Sequence, residues 1–146
     1  MNDLLFNKYT PTSLSDILNN NKINEDLKLF INLDNLNILF IGPSGVGKSM
    51  YLKLIINECF NKNEITENIF LINNLMDLNI LQSRNELKTF CQTTTIKRKK
   101  LVCIDDIDII SEQNQQIIRN YIDNYSSNVN FICCCTNIKK VDDSLK

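Results

Sequence analysis

The sequence predicts an α/β fold, a parallel sheet with helices packed on both faces. Three observations carry that expectation. Short apolar runs recur at residues 36–41, 69–72, 101–104 and 131–135. Longer segments with apolar residues at helical spacing separate them, and strand–helix alternation of this kind builds parallel sheets. Three of the runs lead directly into Gly42, into Asp105-Asp106 and into Thr136-Asn137. Ligands in such sheets bind outside the carboxyl ends of the strands, so these three termini converge on one candidate site.

The elements follow in order. In the first twenty residues, Pro11 pushes Thr10 toward an extended conformation, and Thr12 or Ser13 can cap a short helix. Residues 22–32 place Ile23, Leu27, Phe30 and Ile31 at helical spacing, which predicts an amphipathic helix. Residues 48–60 contain neither Gly nor Pro and read as helix. Asn61-Lys62-Asn63 reads as a polar break, and residues 73–79 as a polar-leaning loop. Residues 81–92 read as helix, with Leu87, Phe90 and Cys91 on one side. The basic run Lys97-Arg98-Lys99-Lys100 reads as a solvated loop before a buried strand, in preference to a phosphate-backbone contact. Residues 111–125 read as a helix with Ile117, Ile118, Tyr121 and Ile122 on its apolar side, and Asn128 as the break before the last strand.

The 146 residues suffice for one domain with its own core, expected to span residues 1–146. Hydrophobic content of 43% and charged content of 23% indicate a globular chain. The net charge of −1 gives no general argument for a nucleic-acid partner. The absence of His excludes a His general base or a His metal ligand. Six Cys are present without a C-x-x-C spacing, and Cys133 to Cys135 are consecutive. Neighbours on a strand face opposite ways, so these three cannot all serve one metal. Buried free thiols in a reducing, intracellular compartment are the expectation, with nucleus and cytoplasm both open. No apolar run is long enough for a membrane helix.

Gly42-Pro43-Ser44-Gly45-Val46-Gly47-Lys48-Ser49 matches G-x-x-x-x-G-K-[ST], the P-loop or Walker A pattern. It lies between an apolar strand and a helix that begins with Lys48, Ser49 and Met50, which is the context the motif requires. Its glycines let backbone N–H groups wrap a phosphate chain, and the helix N-terminus adds partial positive charge. Lys48 is placed to reach the β- and γ-phosphates, and the Ser49 hydroxyl to ligate Mg²⁺. This predicts a P-loop nucleotide-binding fold with a nucleoside triphosphate and Mg²⁺ as cofactors.

Leu101-Val102-Cys103-Ile104-Asp105-Asp106 supplies a Walker B pattern. Asp105, at the strand end, is expected to hold Mg²⁺ beside Ser49, and Asp106 to orient or deprotonate an attacking water. The competing reading is that Asp105 to Asp108 only cap the following loop. Thr136 or Asn137 is a candidate to bond the γ-phosphate or the lytic water, although Thr-Asn after a strand is also ordinary turn chemistry.

These residues together resemble the AAA+ ATPases, and within them the small subunits of replication factor C, the sliding-clamp loader. Lys8-Tyr9-Thr10-Pro11 through Asp16-Ile17-Leu18 is similar to the family's K-Y-R-P…D-I-V opening. Gly42 to Ser49 is similar to G-P-P-G-T-G-K-T, and Arg84 to Phe90 to R-N-Q-I-K-x-F. Asp105 to Asp108 falls on D-E-A-D, while Gln115-Gln116, Arg119 and Tyr125-Ser126-Ser127 fall on Q-Q-A-L-R-R…Y-S-S. The resemblance implies that Tyr9, Pro11, Ile17 and Leu18 surround adenine, that the P-loop and Met50 bind ATP, and that Asp105 is the Walker B metal residue. It implies that Asp106 occupies the catalytic glutamate's position and that Thr136, in preference to Asn137, is sensor 1. Implied partners are other clamp-loader subunits in a hetero-oligomer, a sliding clamp and primer–template DNA, with no membrane.

Departures from the pattern set further expectations. Asp106 is one methylene shorter than Glu, which retracts the carboxylate by about 1.5 Å, and a misplacement near 1 Å can cost ~10²-fold in rate. The sequence ends at Lys146, where the family places the Ser-Arg-Cys of an arginine finger, and the lid and collar domains are not in it. Weak hydrolysis by the chain alone is the expectation. Two alternatives stand beside this reading. One is a non-catalytic nucleotide-binding scaffold. The other is a guanylate-kinase-like enzyme, disfavoured because 41 residues precede the loop and residues 61–95 hold one Arg and no Tyr.

Overall fold

A computed structural model describes residues 10–17, 21–72, 80–95 and 97–146 of the chain. Four strands, β1 (Ile38–Ile41), β2 (Ile69–Ile72), β3 (Lys100–Ile104) and β4 (Val129–Cys135), form one sheet. All pairings are parallel and the order is β1-β4-β3-β2. The central strands β3 and β4 are buried along their whole length, whereas the edge strands β1 and β2 are only partly covered. That is why β3 and β4 read as unbroken apolar runs: both faces of a parallel sheet are packed.

The pleat divides the core in two. Leu101 and Cys103 of β3, with Ile132 and Cys134 of β4, face helices α1 (Asn21–Asn32) and α2 (Lys48–Cys59). Val102, Ile104, Phe131, Cys133 and Cys135 face the other way, toward α4 (Ile80–Gln92) and α5 (Glu112–Tyr125). The consecutive cysteines therefore alternate between the two cores, as strand geometry requires, and all six are free thiols. Burial pushes Cys91 up to about 11, and Cys133 and Cys134 up to about 12. Neutral thiols of this kind pack as small hydrophobes.

Three expectations are corrected. Of the apolar residues on α1, Leu27 and Ile31 are buried, but Ile23 and Phe30 are 45% and 39% exposed. The buried stripe instead takes in Asn24. The break at Asn61-Lys62-Asn63 opens a short helix, α3 (Lys62–Asn68), whose start is held by the Asn61 N–H donating to Glu64 Oε2 at 3.2 Å. The basic run is not a solvated loop throughout. Lys100 opens β3 and is 8% exposed, its ammonium lying 4.5 Å from the Phe90 ring centroid and donating to Thr93 Oγ1. Lys99 Nζ donates to Ser126 O at 3.0 Å. The residues 73–79 read as a loop lie outside the described residues.

A polar clasp closes the amino-terminal end of the sheet. Asp34, at φ +50°, accepts from Lys99 N at 2.9 Å and from Asn130 Nδ2 at 3.1 Å. Asn130 is 1% exposed, and its Oδ1 accepts from Leu36 N at 3.1 Å. The segment before β1 is thereby tied to the starts of β3 and β4, which leaves the opposite, carboxyl end for the candidate site.

Candidate functional site

At the carboxyl end of β1 the chain turns through Gly42 to Gly47 and enters α2 at Lys48. Gly45 and Gly47 take φ values of +83° and +96°, which L side chains adopt only at a cost. Gly47 is the N-cap, and its carbonyl accepts from Tyr51 N at 2.9 Å. Gly42 N donates to Cys135 O at 3.3 Å, which fixes the loop's start to the end of β4. A Cβ at Gly42 would meet Val46 Cγ2 at 3.0 Å. Lys48 Nζ lies across the loop and donates to Gly42 O at 2.7 Å and Pro43 O at 3.0 Å. Pro43, Ser44 and Val46 are exposed at the loop's tip, and Met50 is half-buried on the first turn of α2.

Asp105 follows β3 and extends its ladder, its N–H donating to Ile72 O at 3.1 Å. Ser49 Oγ donates to Asp105 Oδ2 at 2.9 Å. The two residues expected to share a metal are thus in direct contact. A hydroxyl and a carboxylate are the hard oxygen donors that Mg²⁺ takes together with phosphates and water, and the glycine loop beside them has the backbone a phosphate cradle needs. This donor set fits a magnesium nucleotide: Ser49 and Asp105 would hold the cation, and Lys48 the phosphates.

Asp106 sits at φ +53° and ψ +53° as the N-cap of a 3-10 turn, Ile107–Ile109. Left-handed backbone is unusual outside Gly, and Asp tolerates it better than most residues because its short polar side chain bonds locally. Thr136 and Asn137 leave β4 one strand away, exposed to solvent. The Asn137 side chain is committed locally, accepting from Lys139 N at 3.1 Å as the cap of the turn Ile138–Lys140. The Thr136 hydroxyl remains at the strand end as the better sensor candidate.

Two residues outside the expected catalytic and binding set hold this edge together: Asp108, which the competing reading made a loop cap, and Gln115, placed in the sequence only by the family pattern. Asp108 accepts from Thr136 N at 3.3 Å and Asn137 N at 3.0 Å, so a carboxylate of the acidic run does cap a loop, across the sheet rather than along it. Gln115, 1% exposed, donates through Nε2 to Ile107 O, Ile110 O and Lys140 O at 3.2, 2.9 and 3.0 Å. Its Oε1 accepts from Asp142 N at 2.7 Å. The signals for Gln115 in the sequence are its place on the Q-Q of the family pattern and its polar side chain beside the apolar positions of α5.

The amino-terminal residues are placed in part. Pro11 and Ile17 are half-buried on either side of a 3-10 turn, Leu14–Asp16, and Tyr9 and Leu18 lie outside the described residues. The turn packs on α2 through the fully buried Leu14, and Ile17 packs on the same core as Met50. Asp16 accepts from Thr12 N at 3.0 Å and Ser13 N at 2.9 Å, bonds that hold its carboxyl below the usual range.

A glycine loop between β1 and α2, with an acid at the end of β3 against it, defines the class: a P-loop α/β protein. The chain belongs to the AAA family, the "ATPase family associated with various cellular activities", whose model matches residues 38–146. It is similar to the replication factor C small subunit of Sulfolobus acidocaldarius, 29% identical over 95% of this chain and 43% of that protein. Replication factor C subunit 5 of Homo sapiens is 28% identical over 95% of this chain and 42% of its own length. The chain therefore spans less than half the length of these relatives. Among solved structures, AMPPCP-bound DnaA from Aquifex aeolicus matches with a TM-score of 0.66 at 19% identity, covering 98% of this chain and 48% of that one. A DNA polymerase III gamma subunit-related protein from Thermotoga maritima matches with a TM-score of 0.63 at 15% identity, covering 83% of this chain and 42% of that one. These likenesses bear on the fold.

Proposed function

We propose that the chain is the ATP-binding core of a clamp-loader-type subunit, serving DNA replication, with residues 1–146 as one ATPase core domain. The observation that carries the reading is the contact of Ser49 Oγ with Asp105 Oδ2 at 2.9 Å beside the glycine loop. Magnesium supplies charge neutralisation of the phosphates. With nucleotide bound, Ser49 and Asp105 would hold the cation, Lys48 would leave Gly42 O and Pro43 O for the phosphates, and Asp106 would take the proton of the water as its oxygen bonds the terminal phosphorus and the bond to the departing diphosphate breaks. Thr136 orients that water or the terminal phosphate, kept in place by Asp108. Pro11, Ile17 and Met50 line the base, with Tyr9 and Leu18 assigned there by resemblance alone.

The similarity to replication factor C small subunits supports partners of that type: other loader subunits, a sliding clamp and primer–template DNA. Hydrolysis by the isolated chain is slow, because the Asp106 carboxylate is short and no neighbouring subunit completes the site. No helix among the described residues is long and apolar enough to cross a membrane. The buried thiols suit a reducing, intracellular compartment.

The test is equilibrium binding of ATP, GTP and GMP with and without Mg²⁺, with Lys48→Ala as control. Adenine-selective, Mg²⁺-dependent binding that the variant loses supports the reading. Tight GMP binding overturns it in favour of a nucleotide kinase, and no binding of any nucleotide leaves a scaffold.

A further inference from the structure

We propose that Asn24 reads the nucleotide base, its Oδ1 accepting from the 6-amino group of adenine; this rests on the ATP-binding reading above. Asn24 lies on α1 in a stripe otherwise made by Leu27 and Ile31, and is only 6% exposed. A buried amide is stable when all its polar atoms are paired. Here one half is paired: Nδ2 donates to Ile17 O at 3.3 Å. The other half, Oδ1, is buried with no partner.

The orientation of the amide is fixed by that neighbour. Turning it over would set Oδ1 against the Ile17 carbonyl, acceptor on acceptor, so the unpaired atom is the acceptor. Among the described residues three other buried side-chain atoms lack a partner: Tyr51 OH, Arg84 Nε and Arg98 Nη1. Asn24 alone of the four bonds to the stretch assigned to the base. Ile17 packs on the core that also takes Met50 and Tyr51, on the first turn of α2, and α1 itself packs on α2. Asn24 therefore shares, with Leu27 and Ile31, the face of α1 that packs toward the helix opened by the glycine loop.

A buried acceptor beside a base subsite selects by hydrogen-bond polarity. Adenine offers a donor at position 6. Guanine and hypoxanthine offer an oxygen there, which meets Oδ1 as a second acceptor and is rejected. Specificity of this kind comes as much from the unpaired group in the wrong complex as from the bond in the right one.

The experiment compares Mg²⁺-ATP and Mg²⁺-ITP binding to the full chain, to Asn24→Leu, which fills the site without polar atoms, and to Asn24→Ala. Thermal unfolding of each variant verifies that it is folded. The expected result is a preference of about tenfold for ATP in the parent chain, lost in both variants because ATP affinity falls and ITP affinity does not. A merely structural role would lower both affinities alike and leave the ratio unmoved, and an unchanged ratio in a folded variant overturns the proposal. Equal binding of ATP and ITP by the parent overturns it too, with the nucleotide site intact. Binding of neither nucleotide overturns the ATP reading and this inference with it.

Discussion

Ser49 Oγ donates to Asp105 Oδ2 at 2.9 Å across 56 positions of sequence. Both ends of that contact are set by backbone. Gly47 at φ +96° starts α2 so that Ser49 falls in its first turn, and the bond from Asp105 N to Ile72 O holds the acid at the end of β3. The side chains meet because the parallel sheet places the ends of β1 and β3 on one edge, separated by β4 alone.

Asp106→Glu tests the reach of the catalytic carboxylate. Glu lengthens the side chain but is less suited to φ +53°, so a loss of stability of up to about 1 kcal/mol is expected. Single-turnover ATP hydrolysis should rise by about tenfold or more. An unchanged rate would mean that hydrolysis is limited elsewhere.

Gln115→Ala removes four hydrogen bonds at a fully buried position and takes their side-chain partner from the carbonyls of Ile110 and Lys140 and from Asp142 N–H, while Ile107 O keeps its bond from Ile110 N. A loss of about 2–4 kcal/mol is expected in urea denaturation, read as a lower midpoint at constant slope. A loss within experimental scatter would contradict the bracing role.

Asn130→Ala should cost about 2–3 kcal/mol, since Leu36 N and Asp34 lose their buried partner. The clasp is at the amino-terminal end of the sheet, away from the glycine loop. ATP affinity of the folded variant is therefore expected to stay within about twofold of the parent, and a larger change would show that the two ends are coupled.

Stability should also fall in alkali. Burial raises Cys91 from 9.0 to about 11 and Cys134 from 9.0 to about 12. The folded chain keeps these protons while the unfolded chain sheds them, so the stabilisation is complete below pH 9 and declines from there through the raised values. Urea midpoints at pH 8 and pH 10.5 should show the decline, smaller in Cys91→Val than in the parent. Equal declines would remove Cys91 from the account.

Sequence made the centre of this molecule legible and its margins less so. The β3 and β4 runs were readable because strands buried on both faces tolerate few polar residues, and the glycine loop because its spacing is dictated by phosphate geometry. The burial of Lys100 is not legible in its own run because the features that bury it, the Phe90 ring and Thr93 Oγ1, belong to the end of α4 and the residue just beyond it. Asn24 gives no sign of its burial, and Gln115 none beyond its place in the family pattern, because a polar side chain on a helix is ordinarily a solvent-facing one. What singles them out is a partner on another segment, Ile17 for one and Lys140 for the other, and apolar periodicity carries no trace of such pairs. The helix at Lys62–Asn68 was hidden because its start depends on the Asn61–Glu64 contact rather than on an apolar stripe.

The most direct test of the central claim is a double-mutant cycle on Mg²⁺-dependent ATP affinity with Ser49→Ala, Asp105→Asn and both together. If the two residues hold one cation beside the phosphates, each single variant should lose about tenfold of the affinity that Mg²⁺ confers, and the double variant little more than either alone. Strictly additive losses, or affinities that ignore Mg²⁺ from the outset, would contradict a shared metal site at Ser49 and Asp105.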